Sequence, residues 1–423
     1  MKRLWGILGI SLIILGSIFA YKAYMEEHPE ASPEYLAEMA KITPVPTISV
    51  SEEGELPLVV EETEKLWQDE GVEPDAFVTQ AVDIPKFEDY DYEYTYELMN
   101  KSDREVYDVI YMATILYQED VELPTLDEQQ LSKVYKCMMS DHPEIFYVSG
   151  YKFTKYTYGK KIKKLTYTAA YTYPRNERDI IWKKLDEAAD EIVAGLPEDA
   201  DDDYSKIKYI YETVISNTEY DKYAEDNQNI ISVLLNHSSV CSGYAKTVQL
   251  LLNRLGIDNV LVSGNVSTGE GHAWNLVCSD GDWYYLDATW GDAYNELADC
   301  KQIGADSLIN YDYMLVTSDE IKVTHSFDRL FKLPSCKATK DNYFIREGLM
   351  FEGYDGDRIG SIINEGYADG REYVTFKCIS SEVYDEMVDE LMNKQKIFDY
   401  LKDNSGNVRY SNNERMRTLT FWL

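Results

Sequence analysis

The chain has 423 residues, 44% of them hydrophobic, which is enough apolar material for a large folded core and excludes a collagen-like, coiled-coil or wholly disordered protein. Acidic residues outnumber basic ones by 76 to 41, and a net charge of −35 would repel phosphate backbones, so nucleic acid is excluded as a partner. Tyrosine is abundant, at 36 against 12 phenylalanines, a weak pointer to half-exposed aromatic surfaces that bind peptide or sugar.

At the N-terminus Lys2 and Arg3 precede a 17-residue uncharged apolar run, Leu4–Ala20. Its length lies between a signal-peptide core and a full span, and the positive flank orients it with the rest of the chain across the membrane. Small residues are poorly placed for cleavage after Ala20 or Ala23. Residues 1–25 are therefore read as a signal anchor or signal peptide, with an extracellular catalytic domain on a single-pass anchor and secretion after cleavage as the alternative. Residues 26–84 form an acidic, proline-containing linker. Between Glu26 and Gln80 there are 15 acids, two lysines and six prolines, with room for short helices such as Glu61–Glu70.

From about Pro85 the pattern becomes globular. Residues 85–200 read as a helical plus β-hairpin region. Ser102 and Asp103 offer an N-cap for a helix carrying Val106, Ile110 and Ala113, and Leu126–Met139 repeats the helical spacing. Tyr147–Tyr158 and Ile162–Tyr173 alternate around Gly159 as a hairpin. A further helix runs from Arg178 to Ala194 and stops at Gly195 and Pro197. The acids Asp199–Asp203 lack the alternating ligands, central Gly and terminal Glu of a calcium loop, and read as a cap for a helix over Tyr204–Ser216. Residues 336–423 read as a small C-terminal α+β domain, with a strand at Tyr373–Ile379, a helix at Ser381–Leu401 and a strand at Asn407–Leu423.

Residues 201–335 hold the segment in which chemistry is legible. Cys241 follows Ser238 and Ser239, preferred N-caps, and opens a helical stripe through Ala245, Val248, Leu252 and Leu255 that ends at Gly256. In a first helical turn the backbone dipoles favour a thiolate, and free N–H groups could hold an oxyanion; the same position suits a buried structural cysteine. His272, Trp274, Leu276 and Cys278 alternate as a strand, Trp283–Ala288 is a second, and Asp280-Gly281 between them is a two-residue turn. That turn makes facing residues sum to 561. His272 then faces Thr289, Trp274 faces Asp287, and His272 and Asp287 are diagonal neighbours on one face, about 7–8 Å apart at their β-carbons. A thiol nucleophile needs a base to move its proton and a carboxylate to orient that base, and Cys241, His272 and Asp287 supply these roles. Asp282 and Asp292 are rival orienters, but the register puts one beside the turn and the other beyond the strand. His28, His142, His237 and His325 lack partners at ligand spacing and read as surface or core histidines, and no metal or cofactor site is expected. The other five cysteines, 137, 278, 300, 336 and 378, are too few to form a disulfide scaffold.

VCSGYA, GHAWN and YYLDATWGD, spaced this way, resemble the core of the transglutaminase-like superfamily in its bacterial exported branch. DHPEIFYV and YDYMLVTSDEIKVTHSFD are similar to segments that accompany that core. The resemblance implies an α+β, papain-like fold, in which a helix-borne cysteine packs on an antiparallel sheet carrying His and Asp, here with an N-terminal α/β extension and the small C-terminal domain. It implies Cys241 as nucleophile, His272 as general base and acid, and Asp287 as orienting carboxylate. Calcium dependence is not inherited, since the β-sandwich domains and the calcium loop of the large animal enzymes are not evident. The implied enzyme forms a thioester with peptide, isopeptide or glutamine amides at the cell surface and resolves it with water. The alternatives are a protein-glutamine transferase that cross-links surface proteins and an inactive surface or wall-binding module. Its expected partners are a protein or peptide substrate, with a cell-wall component as a further candidate, and the membrane through the N-terminal helix alone. Tyr220 and Asn217 are candidates for the second oxyanion donor.

Overall fold

A computed structural model of the chain describes residues 59–66, 93–292, 308–402 and 408–423. The apolar run at 4–20, His28, Cys300 and most of the acidic linker lie outside the described residues. Among the described residues no helix is long and apolar enough to cross a membrane.

The N-terminal region comprises β1 (Val59–Leu66), α1 (Tyr94–Glu97), α2 (Lys101–Ile115), β2 (Val121–Glu122), α3 (Glu128–Asp141), β3 (Val148–Tyr158) and β4 (Lys161–Tyr171). Gly159, at φ +62°, makes the turn of the expected β3–β4 hairpin. α2 starts one residue before the expected cap: Asn100 accepts the Asp103 N–H, while Asp103 is buried against Gln130 and Lys133 of α3. The short helix expected over Glu61–Glu70 is replaced by β1, which lies parallel to β3. Unpaired backbone groups along the 11-residue β3 form a template that the acidic segment completes, and Glu61 and Glu62 meet Lys152 and Lys155 across the pair at 2.8 and 2.6 Å.

α4 (Arg175–Ala194) begins at Pro174, and α5 (Asp203–Ser216) is capped by Asp202. The central region then runs β5 (Glu219–Tyr220), α6 (Ile230–Leu234), β6 (Ser238–Ser239), α7 (Cys241–Arg254), β7 (Asn259–Val266), β8 (Gly271–Ser279), β9 (Asp282–Leu286), α8 (Ala288–Gly291), α9 (Ser318–Ile321) and β10 (His325–Phe327). Its four-stranded sheet has the order β10-β7-β8-β9 and is antiparallel throughout. The β8–β9 register matches the sequence arithmetic: Cys278 pairs with Trp283, Leu276 with Tyr285 and Asn275 with Leu286. Asp280 and Gly281, both at positive φ, form the turn.

α7 is buried from Ser242 to Leu252. One side, with Tyr244, Val248, Leu251 and Leu252, belongs to the large core shared with the N-terminal region, and the other sets Ala245 against Leu261 and Ala273 of the sheet. The small side chains allow close approach, and Asn275 donates to the Ala245 carbonyl at 2.9 Å. This is the α+β arrangement of a cysteine-bearing helix on an antiparallel sheet.

The C-terminal region holds α10 (Tyr343–Arg346), β11 (Met350–Phe351), α11 (Gly356–Asp369), β12 (Tyr373–Cys378), α12 (Ser381–Val388), β13 (Tyr410–Asn413) and β14 (Thr418–Trp422), with its own apolar core and sheet order β11-β12-β14-β13. The single strand expected over Asn407–Leu423 is a hairpin, because the chain turns at Glu414–Arg417, where Arg417 adopts φ +58°. The helix expected to reach Leu401 ends at Val388, followed by a π-type turn at Asp389–Asn393 and a 3₁₀ turn at Lys396–Asp399.

A buried polar cluster joins this region to the central region. Asp312 accepts from Lys377 at 3.3 Å and from Thr418 at 2.8 Å, and Lys377 also lies 3.9 Å from Glu320. Tyr311 and Tyr343 stack beside it with centroids 3.6 Å apart. Burial raises the Asp312 carboxyl despite the neighbouring ammonium. Lys377→Met should therefore leave a buried charge without its counter-ion and cost about 3 kcal/mol at neutral pH. In urea unfolding that loss should shrink as the pH is lowered, because a protonated Asp312 needs no counter-charge.

Candidate active site

Cys241 is the first residue of α7 and is partly exposed. The expected capping serines do not cap: Val240 occupies the N-cap position, and Ser239 bonds instead to Ser232 at 2.7 Å and to the Asn227 carbonyl at 3.1 Å. The first-turn N–H groups of α7 are therefore not taken by a capping side chain. The His272 ring and the Ala273 N–H of β8 both act to stabilise the Cys241 thiolate. Burial alone would raise the thiol, but those donors and the charge of His272 hold it below its ordinary value.

His272 extends from the start of β8 and places Nε2 2.7 Å from Asp287 Oδ2. The ring's other nitrogen, Nδ1, is the one left for Cys241. Burial disfavours the charged ring, yet Asp287 and the sulfur outweigh it and push His272 up to about 10. Asp287 follows the last residue of β9 and caps α8, with Oδ1 accepting the N–H groups of Thr289 at 2.9 Å and Trp290 at 3.1 Å. Although burial would raise this carboxyl, the two imidazoles it faces hold it well below the usual carboxylate range. Of the three residues singled out in the sequence, His272 and Asp287 are joined by a hydrogen bond at 2.7 Å, and Cys241 is close enough for both to act on its thiol.

The second imidazole corrects the sequence reading of His325 as an isolated surface or core histidine. It is buried on β10, and its Nε2 lies 3.0 Å from the same Oδ2 of Asp287. β10 pairs with β7, so that His325 stands opposite Val266, at the end of the sheet where His272 starts β8. No spacing rule signals this pairing, because 38 residues and no shared turn separate His325 from Asp287. Of the remaining candidates, Asp292 accepts from Tyr244 at 2.9 Å, Asp282 faces Lys340 at the turn, and His142 is paired with Glu144 at 2.7 Å far from the thiol in sequence. Tyr220 lines the cleft beside His272, and burial together with the nearby thiolate pushes its phenol up to about 12; Asn217, at the exposed end of α5, is not among the cleft residues.

His272, Asp287 and His325 are also the residues that could hold a metal ion, since one ligand atom from each lies within 4.8 Å of the others. Shared hydrogen bonds already join those atoms, and we read the cluster as a proton-bridged network. The cysteines at 137, 241, 278, 336 and 378 are all free thiols.

Beside the network opens a cleft of about 780 Å³. Tyr220, His272, Thr289 and Trp290 form one wall, and the C-terminal sheet contributes Thr375, Ser411, Asn412, Thr418 and Thr420 to the other.

Linkage gives the network a pH signature. His272 holds a proton more tightly folded, at about 10, than its ordinary 6.5, so its contribution to stability is complete below 6.5 and is lost as the pH rises through 10. Asp287 is shifted down, and its contribution is complete above its ordinary 3.8 and lost as the pH falls through the lowered folded value. The difference in unfolding free energy between wild type and His272→Gln should therefore be greatest near pH 6, on the order of a few kcal/mol, and decline steadily toward pH 10.

Residues 190–288 match the family model of the transglutaminase-like superfamily. The chain is 28% identical over 136 residues to kyphoscoliosis peptidase of Mus musculus, covering 26% of this chain and 21% of the relative, and 29% identical over 118 residues to its Homo sapiens counterpart, covering 24% and 18%. It thus spans about a fifth of the length of these curated relatives. Among solved structures it is similar to a TGase at 17% identity, over 33% of this chain and 50% of the other with a TM-score of 0.24, and to the periplasmic domain of TgpA from Pseudomonas aeruginosa at 16% identity, over 32% and 56% with a TM-score of 0.20. Cys241, His272 and Asp287 all fall within the matched segment, and residues 190–288 of this chain are a transglutaminase-like core.

Proposed function

We propose that the protein is a thiol acyl-transfer enzyme in which Cys241 is the nucleophile, His272 the general acid and base, and Asp287 the orienting carboxylate. The observation that carries this reading is the buried His272–Asp287 hydrogen bond at 2.7 Å beside a helix-borne thiol that His272 holds below its ordinary value. The thiolate attacks an amide carbonyl and forms a tetrahedral oxyanion, for which the N–H groups of the uncapped first turn of α7 and the Tyr220 phenol are the candidate donors. On collapse the C–N bond breaks, His272 gives its proton to the departing amine, and a thioester remains. Water then gives a proton to His272 and adds to the thioester carbon, releasing the acid and returning the thiol to its starting state.

The open cleft, with hydroxyls and amides on its far wall, favours water as the acceptor and a peptide as the acyl donor, its backbone groups meeting Thr375, Ser411 and Asn412. A lysine amine in place of water would make the same acyl-enzyme a cross-linker. The 4–20 run supports export and anchorage of the enzyme at the cell surface.

Alkylation of Cys241 by iodoacetamide as a function of pH, read on the Cys241 peptide by mass spectrometry, tests the pair without needing a substrate. The expected profile is a rate plateau reaching well below the free-thiol value of about 8.5, lost in His272→Ala. A single titration near 8.5, unchanged by His272→Ala, would overturn the assignment and leave a binding module.

A further inference from the structure

His325 shares the buried carboxylate of the network without touching the nucleophile. Asp287 receives four donors: two backbone N–H groups on Oδ1, and the Nε2 atoms of His272 and His325 on Oδ2 at 2.7 and 3.0 Å. An ionised carboxylate only accepts, so both Nε2 atoms carry hydrogen. His325 Nδ1 lies 2.8 Å from the hydroxyl of Thr324, which completes a chain from Thr324 through His325 and Asp287 to His272. The ring is fixed by packing, with centroids 4.9 Å from Trp274, 4.7 Å from Trp290 and 5.8 Å from Tyr313.

The two backbone donors already fix the orientation of Asp287. His325 adds a competitor for the charge on the oxygen that His272 uses. We propose, on the reading of the site given above, that His325 is a positioning residue that tempers Asp287: by drawing part of the Oδ2 charge into its own hydrogen bond, it limits the grip of the carboxylate on the His272 proton and leaves that proton transferable to the leaving amine. A general acid held too tightly by its partner is slow to release its proton, because transfer is most efficient when donor and medium are matched. Among the described residues, the other titratable groups facing the network are Cys241 from α7, Tyr220 from β5, Tyr211 from α5 and Tyr313, with Glu270 on the cleft rim. Only the two imidazoles bond to Oδ2.

The chain has only five histidines, so the imidazoles of the full-length protein labelled with ¹⁵N-histidine can be followed individually by NMR, with His272 assigned by its loss in His272→Ala. In His325→Phe, whose ring suits the aromatic cage, the His272 midpoint should rise by about one pH unit, a tenfold gain in proton affinity. His325→Gln, which keeps an amide N–H for Oδ2, should return it at least halfway. A purely structural role would lower the unfolding midpoint of His325→Phe and leave the His272 titration where it was, and that result, or a fall in the midpoint, would overturn the proposal. Should His325→Phe fail to fold, the wild-type spectrum decides: two strongly deshielded Nε2 protons, assigned to His272 and His325, support the shared oxygen, and one alone refutes it. Failure of the underlying reading is distinguishable, since a His272 midpoint indifferent to Cys241→Ala would break the Cys–His pair whatever His325 does.

Discussion

The buried carboxylate of Asp287 is the constraint around which the site is built. An ionised group out of contact with water is tolerable only when its lone pairs are satisfied. Its four donors arrive from three structural decisions: α8 starting where β9 ends, which supplies two, β8 pairing with β9 in one register, and β10 closing the far edge of the sheet beside β7. Gly291, in the last turn of α8, shows how little latitude remains. A β-carbon there would come within 2.0 Å of the Tyr211 hydroxyl, so α5 and α8 can approach this closely only because the side chain is absent. Tyr211 in turn donates to the Asn310 carbonyl at 2.7 Å, linking the strand-end carboxylate to the chain that leads toward the C-terminal region.

What the sequence made legible follows from how local each determinant is. The Asp280-Gly281 turn sets the β8–β9 register by itself, so the arithmetic that made His272 and Asp287 neighbours needed nothing from the rest of the molecule. The start of α7 was equally local, although its cap was not: Ser239 is drawn away by Ser232 and Asn227, partners that only the fold brings near. His325 sits at the opposite extreme. β10 is three residues long, and its position depends on edge pairing with β7 rather than on any adjacent turn. For the same reason β1 read as helix: its extended form is imposed by the open edge of β3 and by lysines about ninety residues away in sequence. α11 is absent from the sequence reading, although Ile359, Ile362, Ile363 and Gly366 carry the spacing of the face it buries.

The C-terminal region reaches the cleft through its sheet. Lys377 and Thr418, on neighbouring strands, both bond to Asp312, and Thr375 and Thr420, paired at 2.9 Å, belong to the same two strands and line the cleft. The buried cluster that docks this region therefore anchors the same two strands that carry the polar wall of the cleft.

Burial falls along the network from carboxylate to sulfur. Asp287, His325 and His272 are buried, while Cys241 alone is partly exposed. Charge–charge attraction strengthens as the surroundings lose water, so the His272–Asp287 contact lies where it is strongest and the thiol where solvent reaches it. The reverse order, with a buried thiol and an exposed carboxylate, would raise the thiol by desolvation and weaken the hold on the imidazole through solvation of the acid. Placing the cysteine at a helix start and the carboxylate at a strand end produces the working order directly. A helix start can stand at the rim of a cleft with its first N–H groups open, whereas the end of an interior strand is closed over by the helix it caps.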